Sequence, residues 1–204
     1  MKDSFRFAMR NNKVYLRDPA AVFFSFLAMI IIIGLYILFL GEVNVTNIKE
    51  SLPDAELDDV RFLVNAWIMA GILVVNSITI PLGVLGIMIQ DKVDGRINGF
   101  LVAPISRAKL VYGYLISACT VSFVLNLIAF IITQVYIVSS GGEILPLTSI
   151  LQVVGLLFLI TVSSACMIFF LISFVKTMNG LSTMSSVVGT LIGFITGIYV
   201  PLSI

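Results

Sequence analysis

Long apolar stretches alternate with shorter polar segments along the whole chain. Each apolar stretch reaches about the 18–20 residues that a helix needs to cross a bilayer core of ~30 Å. Because a backbone in lipid must satisfy its own hydrogen bonds, these stretches predict helices rather than strands. We therefore expect an all-α polytopic membrane protein whose five spans cover residues 20–40, 62–90, 110–138, 147–175 and 181–201.

The composition supports this prediction and limits the chemistry. Hydrophobic residues make up 59% of the 204 residues and charged residues 11%. No charged residue lies in any predicted span, which disfavours proton relays and voltage sensors, although a sodium site built only from carbonyls and hydroxyls remains open. The chain contains no His, which disfavours metal chemistry and imidazole catalysis. We assign no catalytic residue and no metal ligand.

The Lys and Arg residues are distributed unevenly among the polar segments. Their numbers in the five segments outside the spans are five, two, four, zero and one. Since cytoplasmic loops carry the excess of Lys and Arg, the first, third and fifth segments are predicted to be cytoplasmic. The N-terminus is then inside the cell, and residues 42–61 form a polar outer loop. We expect a multi-pass location in a bacterial plasma membrane.

Residues 1–18 form a basic leader before the first span. Its cations step by four, four, three and four residues, so they share one side of a helix over an arc of about 80°. Such a helix lies along the lipid headgroups with its cations near anionic lipid; a merely solvated leader is the alternative. The cations are Lys2, Arg6, Arg10, Lys13 and Arg17.

Residues 91–108 form a polar loop with several cations between the second and third spans. Pro104 prevents a helix from continuing, and Gly95 and Gly99 each weaken the preceding helix by about 1 kcal/mol. A helix this weak is expected to need a docking surface, which a partner protein would supply. Its apolar positions fall on one helical face and are Val93, Ile97, Phe100 and Leu101, with Asp91, Lys92, Asp94 and Arg96 beside them.

Small residues recur at every fourth position of the fifth predicted span. A row of this kind lets a neighbouring helix approach closely. That neighbour could belong to the same subunit or to another one. The four positions are Ser185, Gly189, Gly193 and Gly197.

The order of these features resembles the permease subunits of type-2 ABC transporters. In that family an amphipathic leader precedes the first span, and a long second span leads into a cytoplasmic coupling loop. The loop here has Asp94-Gly95-Arg96 where Glu-x-Gly-Thr is commoner, so the resemblance specifies neither subfamily nor cargo. The matching residues are Asp91, Asp94, Gly95, Phe100, Leu101, Ala103, Pro104, Ser106, Arg107 and Gly113.

The resemblance implies an ATP-driven exporter whose permease is coupled through residues 91–108 to a separate ATP-binding cassette ATPase. The chain has no G-x-x-x-x-G-K-[ST] sequence, so ATP would be bound by the partner and this chain would need no cofactor. A second permease subunit, identical or homologous, is implied in the bilayer, and no nucleic acid. Family members have six spans, so we expect the C-terminal part of the family domain to be missing here; an unusual natural short form is the alternative.

Two other classes of protein fit parts of the pattern. A small non-transport membrane protein, such as an immunity or regulatory factor that acts by binding, would also have uncharged spans. It gives no reason for an amphipathic helix over Val93–Leu101. An intramembrane enzyme is disfavoured because the spans contain neither a His nor paired acids.

Overall fold

The computed structural model describes residues 2–51, 53–102, 105–140, 142 and 144–197. Within these ranges the chain is helical and contains no strand. A π-helical segment, Tyr36–Leu40, joins the second helix to the third. The helices are α1 (Lys2–Leu16), α2 (Pro19–Leu35), α3 (Gly41–Ser51), α4 (Leu57–Val93), α5 (Arg96–Val102), α6 (Arg107–Ser139), α7 (Leu147–Ser173) and α8 (Met178–Ile195).

Five helices in the described part of the chain are long and apolar enough to cross a membrane, namely α2, α4, α6, α7 and α8. They correspond in order to the five predicted spans, which confirms the all-α polytopic fold class. The predicted fifth span runs to residue 201, and its part beyond residue 197 lies outside the described residues.

The leader ends where the sequence pattern places its end. The Asp18 carboxylate accepts hydrogen bonds from the backbone N–H groups of Ala20 and Ala21, at 3.0 and 3.1 Å. Pro19 occupies the first position of α2, where its missing N–H costs nothing. This cap separates α1 from the first span, so the leader is a helix of its own.

The prediction that residues 42–61 form a polar loop is wrong about their local structure. Gly41–Ser51 forms α3, and α4 already begins at Leu57. The Lys49 ammonium donates hydrogen bonds to the backbone carbonyls of Pro53 and Ala55, which links the end of α3 to the turn before α4. The acids in this segment suggested a solvated loop, but polar residues also form short exposed helices when a neighbour such as Lys49 closes the turn.

α4 is the central helix of the bundle. In its most apolar stretch 78% of the residues are buried, against 18% for α2, 28% for α7 and 6% for α8. It packs against α6, α7, α8 and α2, and its buried side chains contribute to two apolar clusters, one toward each end. The first cluster also contains side chains of α1, and this end of the bundle carries α5.

Candidate functional site

Asp91 lies in the last turn of α4, immediately before the α4–α5 turn, and its side chain is completely buried. The Arg10 guanidinium of α1 donates two hydrogen bonds to it, with Nη1 2.6 Å from Oδ2 and Nη2 2.9 Å from Oδ1. This paired geometry fixes both the distance and the orientation of the two groups. The hydrogen bond to Asp91 also raises the pKa of Arg10, so the guanidinium stays charged.

Two further helices reach the same carboxylate. The Tyr114 hydroxyl of α6 donates to Asp91 Oδ2 at 2.8 Å. Arg96, at the start of α5, places Nη1 3.4 Å from Asp91 Oδ1 and Nη2 2.8 Å from Asp94 Oδ2. We call the set Arg10, Asp91, Arg96 and Tyr114 the carboxylate junction. One buried carboxylate thus joins α1, α4, α5 and α6.

Aromatic rings enclose the junction on its apolar side. The Phe7 ring makes edge contacts with the rings of Phe100 and Tyr114, with centroids 5.1 and 5.0 Å apart. The Arg10 guanidinium carbon lies 5.2 Å from the Phe100 centroid and 5.8 Å from that of Phe7. Such contacts favour a cation that has lost part of its water shell. The rings therefore stabilise Arg10 in the position that Asp91 requires.

A close approach between α1 and α6 supports the junction. A Cβ atom on Gly113 would lie 2.6 Å from Cδ1 of Phe7, so only glycine leaves room for the ring there. Along the same seam, Ser117 donates to Oδ1 of Asn12 at 2.7 Å. Lys109 donates to Asp3 at 2.8 Å, and this hydrogen bond and charge lower the pKa of the Asp3 carboxyl.

The turn between α4 and α5 divides the apolar face that the sequence predicts for the coupling loop. Gly95 has a φ of +72°, the left-handed conformation in which glycine commonly ends a helix. Val93 therefore belongs to α4, whereas Ile97, Phe100 and Leu101 belong to α5. The expectation of one continuous face over Val93–Leu101 is wrong because the chain changes direction at Gly95.

The α5 side chains also differ in their surroundings. Phe100 packs inward against the apolar cluster that contains Phe7, so it is not the exposed apolar anchor that the helical pattern suggests. Leu101 is 43% exposed and Val102 is 87% exposed. The outward apolar surface of α5 is therefore formed by its last residues. Ala103 and Pro104, which match the family loop, lie outside the described residues.

Four of the five cations of the leader form the exposed basic stripe that the sequence predicts, and the central one, Arg10, does not. Lys2, Arg6, Lys13 and Arg17 are exposed. Arg10 turns toward Asp91, so the expectation that all five cations face lipid headgroups is wrong for this one. A buried carboxylate attracts the nearest cation more strongly than an exposed headgroup layer does, because charges interact more strongly away from water.

Phe7 and Tyr114 belong to the site although the sequence pattern does not single them out. Tyr114 has the appearance of an interfacial aromatic beside Tyr112, and Phe7 that of an apolar flank of the leader. For the pairing of Arg10 with Asp91, the sequence contains one signal. Asp91 and Arg10 each stand next to or within an amphipathic segment that is predicted to lie on the same side of the membrane. Nothing in the pattern specified that they meet.

The small-residue row of α8 lies partly in contact with the bundle. Ser185 and Gly189 are half-buried and Gly193 and Gly197 are buried, yet a Cβ atom on Gly189 would meet nothing within 4 Å. A close glycine contact between α8 and α4 lies instead at Gly86, whose Cβ would lie 3.1 Å from a methyl carbon of Leu181. A tightly packed seam along the whole row therefore stays a prediction.

Five apolar helices, an amphipathic leader and a short helix between the second and third spans define this chain as an all-α polytopic membrane protein. The chain matches the family described as ABC-2 type transporter over residues 5–204, and it belongs to that family. No curated protein and no solved structure matches it significantly.

Family membership decides between the classes of protein left open by the sequence pattern. The chain is a transmembrane permease component of an ABC transporter and not itself the ATPase. Permeases of this family generally work with an ATPase subunit. The alternative of an immunity or regulatory factor receives no support from the match.

Proposed function

We propose that this chain is the permease subunit of an ATP-driven exporter and that α5, with the loop around it, receives the movement of a separate ATPase. ATP binds to that partner and no cofactor binds to this chain. The observation that carries the proposal is the position of the carboxylate junction directly beside α5. A force on α5 is transmitted there to three other helices.

The junction gives the force a defined route. Arg96 and Phe100 connect α5 to Asp91 and to Arg10. Arg10 and Tyr114 connect Asp91 to α1 and α6. Because removing one partner of a buried ion pair costs about 3–5 kcal/mol, these contacts resist separation when α5 moves. The helix ends then shift together, which is what alternation between inward-facing and outward-facing states requires.

The surface for the ATPase is formed by the exposed part of this region. Leu101 and Val102 supply apolar contacts. Lys92 and Asp94 supply charges at the end of α4. Val93 is 55% exposed and adds apolar area beside them. These residues replace Phe100 as the expected anchors, since the Phe100 ring is used within the chain.

The remaining parts of the proposal concern orientation and assembly. The Lys and Arg distribution supports a cytoplasmic position for the N-terminus, α1 and α5, in a membrane that we propose to be a bacterial plasma membrane. The exposed cations of α1 then face the anionic headgroups of the inner leaflet. The weakly buried faces of α2 and α8 are available to a second permease subunit, and the Ser185–Gly197 row is a candidate contact for it.

Co-purification of the ATPase tests the coupling surface. We expect Val102→Asp to reduce recovery of the ATPase with the tagged permease at least tenfold, because it places a carboxylate in an apolar contact. Asn98→Asp is the matched control, since it introduces the same charge at an exposed polar position of α5. Equal recovery with both variants would contradict docking through the end of α5.

A further inference from the structure

A groove of 370 Å³ lies between α5 and the ends of three spans. Its apolar lining includes Ile97 and Leu101 of α5 and Phe169 of α7, and its cations are Lys92 and Arg107. The groove shares Lys92 and Leu101 with the proposed docking surface, whereas Val93, Asp94 and Val102 are not among its lining residues. Its volume lies within the range of sites for small ligands.

The groove changes from polar to apolar along the direction of the spans. Lys92, Arg107 and Ser173 line it at the ends of α4, α6 and α7. Met88, Val111 and Phe169 line it four residues further into the same helices, a depth of about 6 Å. Cations at the membrane boundary and apolar walls deeper in the bundle match the two parts of an anionic lipid.

Among the described residues, both cations of the groove lack a carboxylate partner. Neither Lys92 nor Arg107 has a carboxylate within 4.0 Å in the described part of the chain. A larger groove of 690 Å³ between α1 and α6 offers a contrast. There Lys109 is already paired with Asp3 at 2.8 Å, which leaves Lys2 as the other cation of its lining. The α5 groove brings two cations together above an apolar wall, which favours it as the anion site.

We propose that one anionic phospholipid binds in this groove, with its phosphate at Lys92 and Arg107 and an acyl chain along Val111 and Phe169. The bound lipid contacts Ile97 and Leu101 of α5. It thereby sets the position that α5 occupies before the ATPase moves it. The lipid-binding claim depends only on membrane insertion and not on the proposed ATP coupling. Its failure and the failure of coupling are therefore separate results.

Native mass spectrometry of the purified full-length chain measures binding of the first lipid. We expect dioleoylphosphatidylglycerol to bind more tightly than dioleoylphosphatidylcholine. Lys92→Gln with Arg107→Gln should weaken the anionic lipid about 30-fold, from the loss of two cation contacts, and leave the neutral lipid unchanged. Lys92→Arg with Arg107→Lys keeps both charges and should keep the affinity.

The control for a general charge effect is Lys176→Gln, which removes an exposed cation that lies outside the groove and outside α1. This variant should change the affinity for the first bound lipid less than threefold. Equal weakening by this control, or equal binding of the two lipids to the unaltered chain, would overturn the proposal. Inorganic phosphate alone should not displace the anionic lipid, because phosphate lacks an acyl chain. Full displacement by phosphate would assign the site to free phosphate instead.

A labelling experiment distinguishes a lipid from a protein occupant. Leu101→Cys is introduced after Cys119 and Cys166 are replaced by Ala, and a maleimide reports access to the groove. Phosphatidylglycerol in neutral nanodiscs should slow the labelling, and phosphatidylcholine should not. Protection only by the ATPase or by a second permease copy, with no effect of the anionic lipid, would show that the groove docks protein and that the lipid assignment is wrong.

Discussion

Arg10 and Asp91 are 81 residues apart in sequence, and their side chains form a bidentate ion pair with N–O distances of 2.6 and 2.9 Å. The Asp91 side chain is fully buried, whereas that of Arg10 is 31% exposed. The leader helix is thereby fixed to the end of the central span. The helix that the sequence pattern predicts to lie separately at the membrane surface is therefore joined to the helical bundle.

Asp91→Asn should destabilise the chain strongly although it keeps the shape of the side chain. It leaves Arg10 without a counter-charge in a mostly buried site, at a cost of about 3 kcal/mol. Thermal unfolding of the purified chain in detergent checks this. Asp94→Asn, at the 37% exposed neighbour, is the control and should shift the Tm much less.

The same pair can be tested by a double-variant cycle. If Arg10 and Asp91 interact directly, Arg10→Gln with Asp91→Asn should be less destabilising than the sum of the two single changes. Additive losses of stability would mean that the pair is not coupled and that the junction does not hold α1 to α4.

Tyr114→Phe should lower stability through the loss of one hydrogen bond. Its hydroxyl donates to the buried Asp91 carboxylate at 2.8 Å, and hydrogen bonds to charged groups contribute about 1.5–3 kcal/mol. Tyr112→Phe is the matched control, because Tyr112 is 61% exposed. Equal melting temperatures for the two variants would show that the hydroxyl of Tyr114 contributes nothing.

Gly113→Ala should loosen α1 from α6. The added Cβ would lie 2.6 Å from the Phe7 ring, so the ring or the whole leader has to move. We expect faster proteolysis of the N-terminal segment and a lower Tm. Gly155→Ala should be neutral or slightly stabilising, since nothing lies within 4 Å of its Cβ and Ala favours a helix by about 1 kcal/mol over Gly.

Single-cysteine labelling in intact cells tests the orientation. With Cys119 and Cys166 replaced, an impermeant maleimide should label Asp54→Cys from outside and should label Asn98→Cys only after the membrane is opened. The reason is the excess of Lys and Arg around α1 and α5. Labelling of Asn98→Cys in intact cells would reverse the proposed topology.

The sequence by itself determined the number, order and approximate limits of the spans. These follow from the thickness of the bilayer and the need to satisfy every backbone group within a helix. It also determined the end of the leader at Asp18-Pro19, since a cap is a contact between near neighbours. A short helix in the 91–108 loop and a new helix after it were also predicted, and α5 and α6 occupy these places, but the turn at Gly95 that separates α4 from α5 was not predicted.

Only the tertiary structure decided which residues meet in the carboxylate junction. The α1–α4 contact joins positions 81 residues apart, and its geometry depends on how α1 packs on α6 through Gly113. The inward position of Phe100 depends on the left-handed turn at Gly95 and on the space left by Phe7. A periodic pattern describes the faces of one helix at a time. It cannot specify which face of another helix will lie against it, because that choice depends on the packing of the whole bundle.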